Sequence, residues 1–209
     1  MENVNKKNGM TVSQVSSAII SQISSTLDTS TAKASLARLR NSIGKPPNET
    51  MDVWQIMFEH MPDEFLGRDG ELTAEETVVL NTLQLYALYQ QGSGEKVAAG
   101  PETCNWENMG TSLANLRSNA DKVSVDRRFN TMITSSTYDE LLYHLRQMFG
   151  LLKSKTKGQV KVNFAKLSQD LFWFILGSEE NVRIAWSREY YRTRSETKVS
   201  NEGEDNEER

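Results

Sequence analysis

Residues 73–91 read TAEETVVLNTLQLYALYQQ, and this stretch decides the fold. Thr73 followed three residues later by Glu76 has the form of a capping box, in which the hydroxyl accepts from the Glu76 amide while the carboxylate reaches back. Behind it Val79, Leu83, Leu85, Tyr86, Leu88 and Tyr89 cover a broad arc at helical spacing, and Gly92-Ser93-Gly94 ends the segment. A helix apolar over so wide an arc belongs at the centre of a core.

Working outward, the same period recurs on both sides. Val15, Ile19, Ile23 and Leu27 form one stripe, with order expected from about Val12. Ser30 or Thr31 is expected to cap a second helix carrying Ala32, Leu36, Leu39 and Ile43, with Arg38 opposite that stripe and Arg40 at its edge. Asn48 is expected to open a third helix through Val53, Trp54, Met57 and Phe58, which Pro62 stops. Residues 92–108 hold three Gly and one Pro without periodicity and read as a long loop. Beyond it Leu113, Leu116 and Ala120 mark a helix, and Ser124 is expected to cap another with Val125, Phe129, Met132 and Ile133 inside. Thr137 and Glu140 repeat the capping-box form ahead of Leu141, Leu142, Leu145, Met148, Phe149 and Leu152. Asn163 and Ser178 open the last two helices. No segment alternates with period two, so the expected fold is all-α, a two-lobed helical bundle of eight to nine helices. The expected organisation is a disordered N-terminus over 1–12, one lobe with the long loop over 13–108, a second lobe over 109–193, and a disordered acidic tail over 194–209.

The formal charge is −4, but it is unevenly distributed. Residues 1–109 carry 8 basic and 14 acidic side chains, residues 110–192 carry 13 basic and 8 acidic, and residues 196–209 carry 2 basic and 6 acidic. The basic part is therefore the second half, as expected of a chain that meets nucleic acid without binding every anion. The longest apolar runs fall far short of a membrane span, and a single Cys104 with two distant histidines gives no disulfide and no zinc spacing. A reducing cytoplasm suits such a chain. His60, His144 and Cys104 stand without partners at catalytic or ligand spacing, and no phosphate-binding glycine loop is present, so no catalytic, metal or cofactor site is expected.

The basic residues carry more information. On the helix after Ser124, Arg127 projects opposite the apolar face and Arg128 from its edge. Arg146 and Lys153, two turns apart, share one edge of the following helix, and Arg117 flanks the Leu113/Leu116 face. Lys153, Lys155, Lys157 and Lys161 follow in a Gly-containing stretch without interleaved acids, a flexible cluster suited to a phosphodiester chain. The alternative for any one of them is a solvated charge or an ion pair with Asp121, Asp126 or Asp139.

The order of seven segments is more specific than any of these features. SLARLRNSIGKPP, TLQLYALYQQG, GTSLANLR, VDRRFNTMITSS, LLYHLRQMFGLLK, VNFAKLSQDLFWF and VRIAWSREYYR resemble, in order and spacing, the CasB family, the small subunit of the type I-E CRISPR Cascade complex. The resemblance covers about residues 35–192. Its sharpest points are Arg127-Arg128-Phe129, and Trp186 ahead of Tyr190-Tyr191-Arg192. It implies a non-catalytic helical protein present in two copies in the ribonucleoprotein. There it would lie along guide RNA and target DNA, contact the large subunit and the backbone subunits, and help hold the displaced strand of the R-loop. On that basis Arg38 or Arg40, Arg117, Arg127, Arg128 and Arg146 are the candidate backbone contacts, joined by Lys153 and Lys161 from the lysine run. Two other classes compete: a helix-turn-helix regulator, which needs a short two-helix unit that the neighbours of the Ser124 helix do not clearly form, and a purely structural helical interaction protein.

Overall fold

The computed structural model describes residues 10–100, 107–118 and 121–192. Among these are nine α-helices: α1 (Val12–Ser25), α2 (Ser30–Asn41), α3 (Met51–Phe58), α4 (Ala74–Gln90), α5 (Met109–Ala114), α6 (Lys122–Ile133), α7 (Tyr138–Thr156), α8 (Phe164–Ile175) and α9 (Glu179–Tyr191). The described residues contain no strand beyond an isolated parallel bridge between Ala98 and Val162. The all-α expectation holds.

The helix starts show where local chemistry was read correctly and where it was not. Thr73 and Glu76 form the expected box: the Glu76 amide donates to Thr73 Oγ1 at 3.1 Å and Thr73 N donates to Glu76 Oε2 at 2.7 Å. The other Glu76 oxygen accepts from Gly67 N at 3.1 Å, tying the preceding loop to α4. A second capping box, between Thr11 and Gln14, starts α1 at Val12. Thr29, rather than Ser30 or Thr31, caps α2 by accepting from Ala32 N. α3 begins at Met51 behind Thr50, after a 3-10 turn over Pro47–Glu49, and so later than Asn48. Ser124 lies inside the first turn of α6 and donates to Asp121 O, because Asp121 already occupies the cap position. At α7, Thr137 accepts from Glu140 N, but the Glu140 carboxylate accepts from Ser136 N, one residue earlier than a regular box.

Packing then joins the two halves of the chain. α1 lies against α8, α4 against α7 and α8, α6 against α7, and α5 against α9. An aromatic chain runs through the junction, from Tyr89 to Phe149 (ring centroids 5.4 Å), Phe149 to Phe164 (5.8 Å) and Phe164 to Tyr86 (5.4 Å). The buried phenols keep partners, Tyr86 with Ser24 Oγ at 2.9 Å and Tyr89 donating to Val160 O at 2.8 Å, as buried hydroxyls must. The first part of the 92–108 loop is pinned: Val97 is fully buried, Val162 N donates to Val97 O, and Ala99 N donates to Val162 O. Residues 101–106, 119–120 and 193, the expected disordered tail over 194–209, and residues 1–9 of the expected disordered N-terminus over 1–12 lie outside the described residues.

Candidate nucleic-acid interface

The frame of the candidate surface is built from α6 and the last turn of α9. Phe129, on the buried stripe of α6, stacks on Tyr190 with centroids 3.7 Å apart and planes within 3°. Tyr190 donates to Asp126 Oδ1 at 2.8 Å, and Tyr191 donates to Asn130 Oδ1 at 2.7 Å. Arg117 closes the cluster. Its Nε and Nη2 reach the two Asp126 oxygens at 2.8 and 3.2 Å, and its guanidinium lies 5.2 and 5.0 Å from the Tyr190 and Tyr191 ring centroids. The hydrogen bond from Arg117 holds the Asp126 carboxyl below its usual range, and burial pushes the Tyr190 phenol well above its own. Arg117 is therefore a framework residue. A bidentate pair over two rings fixes its fork in place, which takes it out of the set of free backbone contacts and fulfils the Asp126 alternative raised by the sequence.

What the frame holds outward is Arg127. It is exposed and lines a shallow groove with Val123, Asp126, Asn130, Thr131 and Thr134. A second groove, lined by Ile133, Thr134, Ile184, Ser187 and Arg188, meets the first at Thr134. Neither Arg127 nor Arg188 has a carboxylate at ion-pair distance among the described residues. Their neighbours do: Arg183 pairs with Glu180 and donates to Ser135 O, and Arg192 lies 3.6 Å from Glu189. The sequence reading passed over Arg188, although it stands in the VRIAWSREYYR segment. Arg128 is also exposed and without an ion-pair partner among the described residues, but a step of 100° turns it away from Arg127.

The remaining candidates fall elsewhere. Arg40, at the end of α2, lines a cleft of about 380 Å³ with Asp28, Lys33, Gln90, Gln91, Gly92 and Gly94. Lys153 donates to Leu88 O at 3.2 Å, and burial, followed by the positive charge of Arg40, holds its ammonium below the usual value. Arg40 and Lys153 thus form a second cationic spot. Arg38 diverges into a different cleft beside Gln55, Glu59 and His60. Arg146 is half-buried, and burial lowers its pKa, an effect partly offset by the charge of Asp139.

The lysine run differs from its expectation. Lys153 and Lys155 belong to the last turn of α7, where cations favour the helix end, and Lys157 ends it in a left-handed conformation with φ 52°. Lys155 pairs with Asp121, while Lys161 donates to Lys96 O and lies 3.8 Å from Glu95. The run is helical over its first half and meets acids supplied by distant parts of the chain.

No helix among the described residues is long and apolar enough to cross a membrane, and no group of three or more His, Cys, Asp or Glu among them could hold a metal.

The fold is shared with solved structures. The chain is similar to the crystal structure of CasB from Thermobifida fusca, with a TM-score of 0.68 and 22% identity over 88% of this chain and 100% of that one. It is similar to M. ruber CasB at a TM-score of 0.64 and 22% identity, over 88% and 94% of the two chains. A chain of a structure described as a CRISPR RNA-guided surveillance complex aligns at a TM-score of 0.62 and 18% identity, over 86% and 93%. No curated protein matches the sequence. The family model for CRISPR-associated protein Cse2 matches residues 35–191, and the chain therefore belongs to the Cse2 (CasB) family.

Proposed function

We propose that this chain is a non-catalytic subunit of a Cascade-type, RNA-guided surveillance complex, where it holds nucleic-acid backbone beside the guide RNA and target DNA. The observation that carries the reading is the pair of exposed guanidiniums, Arg127 and Arg188, which have no carboxylate at ion-pair distance among the described residues and stand beside the Phe129/Tyr190 stack. In a guide-directed complex base pairing reads the sequence, so an accessory subunit need supply only charge and shape. Strand exchange there is nearly balanced, and a few phosphate contacts are enough to tip it. Arg128, and Arg40 with Lys153, are the secondary contacts in this reading; Arg38 and Arg146 are further candidates. Residues 13–108 and 109–193 act as two lobes on a shared core, contacting the large subunit, the backbone subunits and a second copy of the chain, with the displaced strand as one ligand.

The test is target-DNA retention by the assembled complex carrying Arg127→Gln and Arg188→Gln together. Retention should weaken to a similar degree for two guides of unrelated sequence, because phosphate contacts position without reading bases. A loss confined to one guide would favour base readout, as in a helix-turn-helix regulator. Unchanged retention would favour a purely structural subunit.

A further inference from the structure

The Arg127/Arg188 surface has an acidic counterpart in the same chain. Among the described residues around it, Asp126 pairs with Arg117, Glu180 with Arg183, and Glu189 through Oε1 with Arg192, while the other Glu189 oxygen is buried without a hydrogen-bond partner. Arg127 on α6 and Arg188 in the last turn of α9, from which the chain continues, have no carboxylate at ion-pair distance among the described residues. The residues from Glu202 to Glu208 contain five acids and no base. Nine residues, 193–201, connect them to Arg192.

The place where α9 ends matters. Tyr191 donates to Asn130, three residues from Arg127 on α6, and Tyr190 stacks on Phe129, so α9 ends packed against α6. Nine residues span at most about 30 Å, whereas α6, with twelve residues, is about 18 Å long. The acidic run can therefore reach the whole outward face of α6 and the adjoining groove with Arg188. Tethering over this distance gives the run an effective concentration in the millimolar range, enough for a weak ionic contact to compete with a ligand in solution.

We propose that the Glu202–Glu208 run occupies the Arg127/Arg188 surface of its own chain and competes there with nucleic-acid backbone. The run presents carboxylates where phosphates would lie, so the surface is shielded until a polyanion held nearby by the rest of the complex displaces it. This inference rests on reading the surface as one that holds backbone, and it adds an intramolecular regulator to it.

The contact and the competition are tested separately on the full chain. With Cys104→Ser and a spin label on Gly203→Cys, paramagnetic broadening should appear on amides of α6 around Arg127 and of α9 around Arg188. It should vanish at roughly 0.5 M salt, where ionic contacts are screened, and in the Arg127→Gln/Arg188→Gln protein. In parallel, deleting 196–209 should tighten binding of a mixed-sequence single-stranded DNA about three- to tenfold at low salt. Replacing the five acids by Gln or Asn should do the same. Absence of broadening overturns the proposal. Broadening with equal affinities for the full and shortened chains overturns the competition while leaving backbone binding intact. Broadening with no DNA bound by either form overturns the backbone reading, and the competition with it.

Discussion

Gly110 and the carbonyl of Trp186 approach so closely that a Cβ at position 110 would lie 2.0 Å from the carbonyl oxygen and 2.8 Å from its carbon. The close approach sets how α5 packs on α9, and so where Tyr190 and Tyr191 stand beneath Arg117. Backbone atoms cannot swing aside as a flexible side chain can. Gly110→Ala should therefore cost about 3 kcal/mol, at the upper end of overpacking. Gly150, inside α7 with nothing within 4 Å of an added Cβ, is the control. Gly150→Ala should stabilise by up to about 1 kcal/mol, the helix preference for alanine. Thermal melting of the two variants checks this; a Gly110→Ala melt at the wild-type temperature would mean that α5 can move away from α9.

Phe129 is fully buried and stacked on Tyr190. Phe129→Ala should destabilise by about 3–5 kcal/mol, as large aromatic truncations in cores do. Phe129→Leu keeps much of the buried area and loses the ring pair, so a smaller cost is expected, of which about 0.5–1.5 kcal/mol is the stacking itself. Denaturant unfolding of both variants distinguishes burial from stacking, and equal losses would contradict the ordering.

Two aspartates should shift stability with pH in opposite senses. Asp126 has a folded pKa below the ordinary 3.8, first because Arg117 bonds to it. Its stabilisation is complete above 3.8 and is lost as pH falls through the folded value. Asp170, buried and bonded by Lys166 at 2.6 Å and Trp186 at 2.7 Å, has a folded pKa above 3.8 because burial outweighs those two partners. The stability linked to its protonation is complete below 3.8 and is lost as pH rises through the folded value. Unfolding curves between about pH 2 and pH 7 should show the advantage of wild type over Asp126→Asn shrinking below 3.8. Against Asp170→Asn, wild type should gain as pH falls towards 3.8. Parallel curves for either pair would contradict its assignment.

The helices were legible because a buried stripe is a local pattern, written at every third or fourth residue. The Thr11-x-x-Gln14 cap is equally local, but it follows a polar stretch without periodic apolar residues to mark it as a helix start. The candidate surface was less legible, since its logic depends on pairing. Arg117, just after α5, meets Asp126 in α6 nine residues on, and Asp126 meets Tyr190 from 64 residues away. Nothing at residue 117 itself separates an arginine fixed in a pair from one left free. Arg188 is hidden in the sequence for the converse reason: Glu189 follows it, yet Glu189 lies beside Arg192, and no carboxylate among the described residues lies at ion-pair distance from Arg188.

Arg117 and Arg127 should therefore separate two effects that sequence alone merges. Arg117 forms a two-point bond to Asp126 on the half-buried frame, and Arg117→Gln leaves that carboxylate with Tyr190 as its remaining side-chain donor. The fold should lose about 1–3 kcal/mol, the range for a hydrogen bond to a charged group left unmade. The salt dependence of DNA binding should stay as it was, because no phosphate contact has been removed. Arg127 is exposed and makes no ion pair among the described residues, so Arg127→Gln should change stability by no more than about 0.5 kcal/mol. Its effect should appear instead in the slope of log affinity against log salt, which should become shallower by about 0.7 on single-stranded or about 0.9 on double-stranded DNA for one lost contact. Melting curves and salt titrations on the same two proteins decide the matter. If Arg117→Gln changed the slope while Arg127→Gln left it unchanged, the roles would be exchanged, and the Asp126 pair would have to open when the backbone binds.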